Sequence, residues 1–213
     1  MHLLLITALP AWLTYAFYAL VAWGVAAVLA AFRALSTGTR MSVLLRLGFG
    51  VWLVVPAYLA NAGVLSQFDA MPPMLVRVVV PMVVLIVTFS FSRAGAWAAE
   101  RLPFGLLIAV QIFRLPLEVL LHQLHGHRVL PVQMTFAGLN FDILTGASAL
   151  VLWVLHRRGG VSPSVLRMWN TIGLALLVTI VTLAVLSFPK PFGLFTPQNQ
   201  IVAYFPWVWL PTF

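Results

Sequence analysis

Apolar runs of about twenty residues recur along this chain, each bounded by single or paired arginines, and that pattern leaves few folds open. Runs of this length cross bilayer hydrocarbon as α-helices, because a helix satisfies its backbone N–H and C=O groups within one segment. With 62% hydrophobic and only 8% charged residues among 213, the chain has too little polar surface for a soluble domain. It is expected to be an all-α, polytopic transmembrane bundle. Hydropathy predicts six full spans, at 6–32, 42–63, 74–92, 103–125, 140–156 and 165–188. The division that follows is a bundle over 1–188 and a Pro- and aromatic-rich interfacial tail over 189–213.

Twelve Lys and Arg against four Asp and Glu give a net charge of +8. The arginines are scattered one or two at a time rather than gathered on a basic face, so no nucleic-acid partner is expected. Arg33, Arg40, Arg93, Arg101, Arg157 and Arg158 follow spans one, three and five, with Arg46 and Arg167 close by. The alternate side holds Arg77, Arg128 and Lys190. That bias predicts a cytoplasmic location for the first group and an outside N-terminus. The absence of cysteine excludes disulfides, thiolate metal sites and cysteine nucleophiles.

Local signals add detail. The N-terminal run lacks a positive n-region and continues to Phe32, which predicts a retained first span rather than a cleaved signal, with an interfacial turn before Pro10. Ala22, Ala26 and Ala30 form a small-residue ridge, expected to pack in the core. Pro56 and Pro81 interrupt spans two and three, Pro72 and Pro73 stop the loop before span three, and Ser162-Pro163 starts span six. Ser90 and Thr179 are expected to bond back to their own helices. The tail, with Tyr204, Phe205, Trp207 and Trp209 between prolines, suits a membrane interface and the entry to a seventh span.

Chemistry concentrates in the fourth span. Gln111, Arg114, Glu118, His122 and His125 are spaced three, four, four and three apart, which places them within about 80° of one another on a helix. An ionisable group at bilayer depth costs about 2.5–3.5 kcal/mol even on the lenient insertion scale, so such a stripe must face protein or water. Asn140 and Asp142 enter span five from the same outer side and suit the positive end of its helix dipole. The expected site is a cavity in the outer half, lined by Arg114, Glu118, His122 and Asp142. Pro116 would leave the Ile112 carbonyl unpaired beside it. The structural alternative is a fixed Arg114–Glu118 ion pair, with His122 satisfying the second carboxylate oxygen. A metal held by Glu118, His122 and His125 is a weaker alternative that matches no established zinc motif. Haem between His122 and His156 would have to bridge opposite membrane faces, and a retinal Schiff base would need an intramembrane lysine, whereas Lys190 follows the last span.

The runs FRLPLE (113–118) and LPVQMTFAGLNFDILTG (130–146) resemble a family of uncharacterised bacterial inner-membrane proteins. The tail YFPWVWLP (204–211) is similar to the start of that family's last span. The resemblance covers about half of the chain. It implies a bacterial plasma-membrane location and points to Arg114, Pro116, Glu118, Pro131, Asn140, Asp142 and Gly146, without supplying a function.

The stripe itself predicts a small permease or proton-coupled carrier for a small solute or ion. Glu118 would accept the proton, while His122 and Asp142 pass protons or ligand outward. One alternative is a membrane-embedded enzyme acting on a lipid or isoprenoid, with Glu118 and His122 as acid and base or as metal ligands. Another is a non-catalytic subunit of a membrane complex or oligomer, for which the small size and the alanine ridge are the hints.

Overall fold

The computed structural model describes residues 2–35, 38–70, 73–189 and 193–212. The described residues form helices joined by loops, with no strand among them. In chain order the α-helices are α1 (His2–Thr7), α2 (Ala11–Leu35), α3 (Thr39–Asn61), α4 (Met74–Ser90), α5 (Arg93–Arg101), α6 (Phe104–Gln111), α7 (Arg114–Gly126), α8 (Ile143–Arg157) and α9 (Pro163–Leu186). Among the described residues, four helices are long and apolar enough to cross a membrane: Ala11–Leu35, Arg40–Asn61, Phe104–Gly126 and Pro163–Leu186. A fifth is reached if α4 and α5, bent by 70° at their junction, are taken together.

Two predicted spans are therefore shorter or more broken than the hydropathy suggests. The third ends at Ser90, after 17 helical residues. Its sharp exit depends on Gly95, where a Cβ would collide with the Phe89 carbonyl. Ser92 caps the new helix by accepting the Gly95 N–H at 3.1 Å. The fifth begins only at Ile143 and has 15 residues, about 22 Å against a hydrocarbon thickness of about 30 Å. Asp142 stands at the N-cap position of that helix with a helical backbone (φ −67°, ψ −16°), but its side chain caps no backbone N–H and pairs with Arg114 instead, while Asn140, two residues ahead, bonds to Glu118.

The chain divides into two compact units, and α2 contributes to both. The first comprises Met1–Leu20 and Phe104–Gln200. Here α8 packs against both α6 and α7. Its core is Ile108, Ala149, Leu152 and Leu166, with Trp153 and Trp169 partly buried around it. Trp169 Nε1 donates to the Ser148 hydroxyl at 2.8 Å, which ties α9 to α8. Ser162 caps α9 by accepting the Val165 N–H at 3.3 Å, with Pro163 at the first helical position.

The second unit comprises Val21–Pro103 and Ile201–Phe213. In it, Phe32 meets Phe49 edge to face at 5.9 Å. The aromatic tail folds into 3-10 turns at Ile201–Ala203 and Trp207–Thr212, and the second of these packs on α3. Trp207 is buried, and Trp209 Nε1 donates to the Leu53 carbonyl at 3.0 Å, one turn before Pro56. The alanine ridge does not pack as expected: Ala22 and Ala26 are exposed, whereas Val21 before them and Gly24 between them are buried. Ser90 and Thr179 do bond back to their own helices, at 2.8 Å and 3.0 Å. Pro72, Lys190 and Pro191 lie outside the described residues.

Three helices end alike. After α3, α7 and α8, the chain closes with paired 5→2 and 6→1 bonds around one residue of positive φ. At α3 and α8 that residue is Gly63 (φ 71°) or Gly159 (φ 75°), but at α7 it is Arg128 (φ 60°). Burial of Leu124 and Val129, the two apolar residues the motif brings together, holds the turn despite the strained arginine. Arg128→Gly is therefore expected to stabilise the protein by roughly 0.5–1 kcal/mol, by removing the Cβ from a left-handed position. Unfolding in mixed micelles measures it, and a loss of stability would show that the arginine side chain contributes more than its backbone costs.

Candidate functional site

Residues 104–126 form one membrane-length segment with a break at Ile112 and Phe113, between α6 and α7. Pro116 explains the break. With no N–H of its own, it cannot bond to the Ile112 carbonyl, and the ladder tightens to i→i+3 steps instead. The Ile112 N–H bonds to Ala109, Phe113 to Val110, and Leu115 to the Ile112 carbonyl at 3.1 Å. That carbonyl is thus not left open beside Arg114, as the proline alone suggested. The adjacent Leu115 N–H is free to turn towards it because the tighter turn brings it there.

Beyond Gly126 the chain runs back along the polar face of α7. The Leu130 carbonyl meets His125 Nδ1 at 3.0 Å, and Phe136 stacks on His122 with ring centroids 4.5 Å apart. Asn140 Nδ2 donates to Glu118 Oε1 at 2.7 Å, and Asp142 forms an ion pair with Arg114. Residues 130, 136, 140 and 142 therefore follow the stripe in reverse order, one partner each for His125, His122, Glu118 and Arg114. The segment is held in shape by Thr135, fully buried, and by Gly138, where a Cβ would meet the Val132 carbonyl and lie 2.7 Å from Gln133 Cα. Asn140 fixes the last turn by giving a second Nδ2 bond to the Met134 carbonyl at 3.1 Å and by accepting the Asp142 N–H at 3.2 Å.

Arg114 pairs with Asp142, 28 residues away, rather than with Glu118 one turn along its own helix. Gln111 Oε1 accepts from Arg114 Nε at 2.6 Å and turns the guanidinium so that its NH1 faces Asp142. The approach of α8 depends on Gly146, which stands directly against the α7 backbone at Arg114 and Leu115. Gly173 of α9 faces Thr145 of α8 without such a constraint, since a Cβ there would lie at an ordinary contact distance of 3.5 Å.

Of the six residues predicted for the site, Gln111, Arg114, Asp142, Asn140 and Glu118 are joined by hydrogen bonds, whereas His122 stacks on Phe136 one turn further along α7. Glu118 and Asn140 are each 1% exposed, Arg114 and Asp142 are also buried, and Gln111 and His122 are half-buried. Glu118 Oε2, Asp142 Oδ1 and His122 Nδ1 are buried without a hydrogen-bond partner. His125 is engaged by the Leu130 carbonyl, and no three His, Cys, Asp or Glu side chains group as a metal site among the described residues. An open apolar groove of about 390 Å³, lined by Trp12, Ala16, Leu115, Pro116, Val119, Leu120 and Gln123, runs along this unit. By helical position its α7 residues lie on the face away from the stripe.

Sequence reasoning missed the covering segment's own contributions: Phe136, the Leu130 and Met134 carbonyls, and Gln133, whose Oε1 is a further buried unpartnered atom. The available signal was a stretch too apolar for a surface loop yet without helical period, between Pro131 and Asn140. Comparisons with protein-family models, curated proteins and solved structures find no match to this chain.

Proposed function

We propose that this chain is a small inner-membrane carrier that couples the movement of a polar solute to protons, with Glu118 as the group that takes up and releases the proton. The observation that carries this is a charge imbalance. The buried cluster contains two carboxyls and one guanidinium, and Asp142 takes the guanidinium. Glu118 is left with an amide on one oxygen and nothing on the other. An uncompensated carboxylate at this depth is expensive, and a proton is the smallest species that removes its charge. His122, one turn further along the same face with an unpartnered Nδ1, stands next in line as relay. Arg114 and Asp142 frame the site, a narrower part for Asp142 than relaying protons.

In this proposal the chain makes six crossings. Residues 130–142, descending beside α7, lengthen the short α8 into the fifth. The turns that bear Arg33, Arg40, Arg93, Arg101, Arg157 and Arg158 lie in the cytoplasm, and the N-terminus lies outside. The resemblance of 113–118 and 130–146 to bacterial inner-membrane proteins supports that location.

The test uses proteoliposomes containing a trapped pH-sensitive dye. An imposed solute or pH gradient is expected to drive proton movement with the wild-type chain and none with Glu118→Gln. The substitution keeps the oxygen that accepts from Asn140, so the variant should fold with an unchanged unfolding midpoint. Equal proton flux through both proteins would remove Glu118 from the mechanism.

A further inference from the structure

We infer that the turn between α8 and α9 is a docking surface for the phosphate of an anionic phospholipid, held by Arg157, Arg158 and Arg167. This surface is separate from the Glu118 cluster and does not rest on the proton-carrier proposal.

The first support is where exposed apolar surface stops. On α8, Val151, Val154 and Leu155 are exposed; on α9, Val165, Met168 and Ile172 are. Exposed aliphatic side chains of a membrane helix face lipid tails. Leu155 and Val165 therefore mark where hydrocarbon ends, and residues 156–164 lie at headgroup level. Arg157 and Arg158 lie in that layer, and Arg167, exposed and half a turn inside it, can extend its guanidinium outward along its own stem.

The second support is that no ion pair answers the three charges among the described residues. The chain has four acidic residues. Within the same unit the acidic residues are Glu118 and Asp142, both buried in the α7 cluster. None of the three arginines is in an ion pair among the described residues. Arg157 instead lies over the Trp153 ring at 5.0 Å, a contact that orients a guanidinium while leaving its N–H fork outward. Trp153 and Trp169 flank the turn, partly buried, as aromatics do at the level of lipid headgroups. Exposed guanidiniums in this layer complement a phosphodiester in charge, and a guanidinium binds phosphate oxygens in bidentate fashion.

A phospholipid supplies the phosphate and the tails together, and the exposed aliphatic faces of α8 and α9 lie directly below the arginines. That continuity favours a lipid over a soluble phosphate compound. Near an anionic surface, each arginine contributes about 1 kcal/mol, or about a fivefold change in affinity.

The full chain, purified in neutral detergent, is titrated with phosphatidylglycerol or phosphatidylcholine, and bound lipid is counted by native mass spectrometry. Phosphatidylglycerol is expected to bind at a concentration roughly a hundredfold lower than phosphatidylcholine, about fivefold for each of the three arginines. The preference should fall by about fivefold for each arginine replaced in Arg157→Gln, Arg158→Gln and Arg167→Gln combinations. Unfolding midpoints in neutral detergent alone should stay unchanged. If the triple variant does not fold, Arg157→Gln/Arg158→Gln, at the end of α8 and beyond it, carries the test. Equal binding of the two lipids by the wild type, or a preference that survives loss of the arginines in a folded variant, would overturn the inference.

Discussion

Asp142→Ala is expected to destabilise the protein by about 3–5 kcal/mol, because it strands the buried Arg114 guanidinium without its counter-charge. Arg114 has one further side-chain partner, the Gln111 amide, which leaves the positive charge in place. Arg114→Met should cost a similar amount, by leaving two carboxyls in a cluster with no cation. Replacing both residues, as Arg114→Met/Asp142→Leu, should recover most of the loss, since removing a buried pair altogether also removes the desolvation that both ions carry. Reversible unfolding in mixed micelles reads all three, and the double-mutant cycle isolates the coupling. The comparison with Glu118→Gln decides the pairing. If Arg114 were neutralised by Glu118, the loss on Glu118→Gln would match that on Asp142→Ala. The geometry gives Glu118 an amide partner instead, so its loss should be the much smaller one.

This pairing marks the limit of what the sequence could reveal. The helical class of the chain follows from apolar runs, and the stripe from spacing, because both are periodic and local. The two ends of the Arg114–Asp142 pair are set by a long-range fact, the path of residues 127–142 back along α7. No period announces that path. Glu118 was the nearer candidate for Arg114 on helical geometry alone, and Gln111, by holding Nε, turns the guanidinium away from it.

The same fact shortens the predicted fifth span. A run of apolar residues from 140 onward reads as helix, but the Asn140 and Asp142 side chains bond to Glu118 and Arg114 of α7, and the helix starts only at Ile143. The alanine ridge failed for a different reason. Small-residue spacing marks a face able to pack closely, not the presence of a neighbour, and Ala22 and Ala26 remain exposed. The tail was legible as aromatic and broken by proline, whereas the acceptor of Trp209, the Leu53 carbonyl, was not, since 156 residues separate them.

Gly146 joins packing to the site, and its substitution is the second large effect expected. An alanine Cβ there would collide with the Leu115 backbone nitrogen and lie 3.0 Å from both the Arg114 carbonyl carbon and Leu115 Cα. These are backbone atoms of a neighbouring helix, so no rotamer change relieves the overlap, and α7 and α8 must move apart. Overpacking of this kind costs about 1–3 kcal/mol, with Gly146→Val beyond Gly146→Ala. The separation also acts on the ion pair, because Asp142 lies one turn ahead of Gly146 and Arg114 forms part of the surface it abuts. Gly146→Ala and Asp142→Ala should therefore be less than additive, the displaced helix having already weakened the contact that the second change removes. Gly50 supplies the control. It lies in α3 with no heavy atom within 4 Å of a Cβ, so Gly50→Ala should be neutral or stabilising by up to about 1 kcal/mol. Unfolding of Gly146→Ala at the wild-type midpoint would mean that α8 does not stand against α7 at this glycine, and the register that brings Asp142 to Arg114 would have to be abandoned with it.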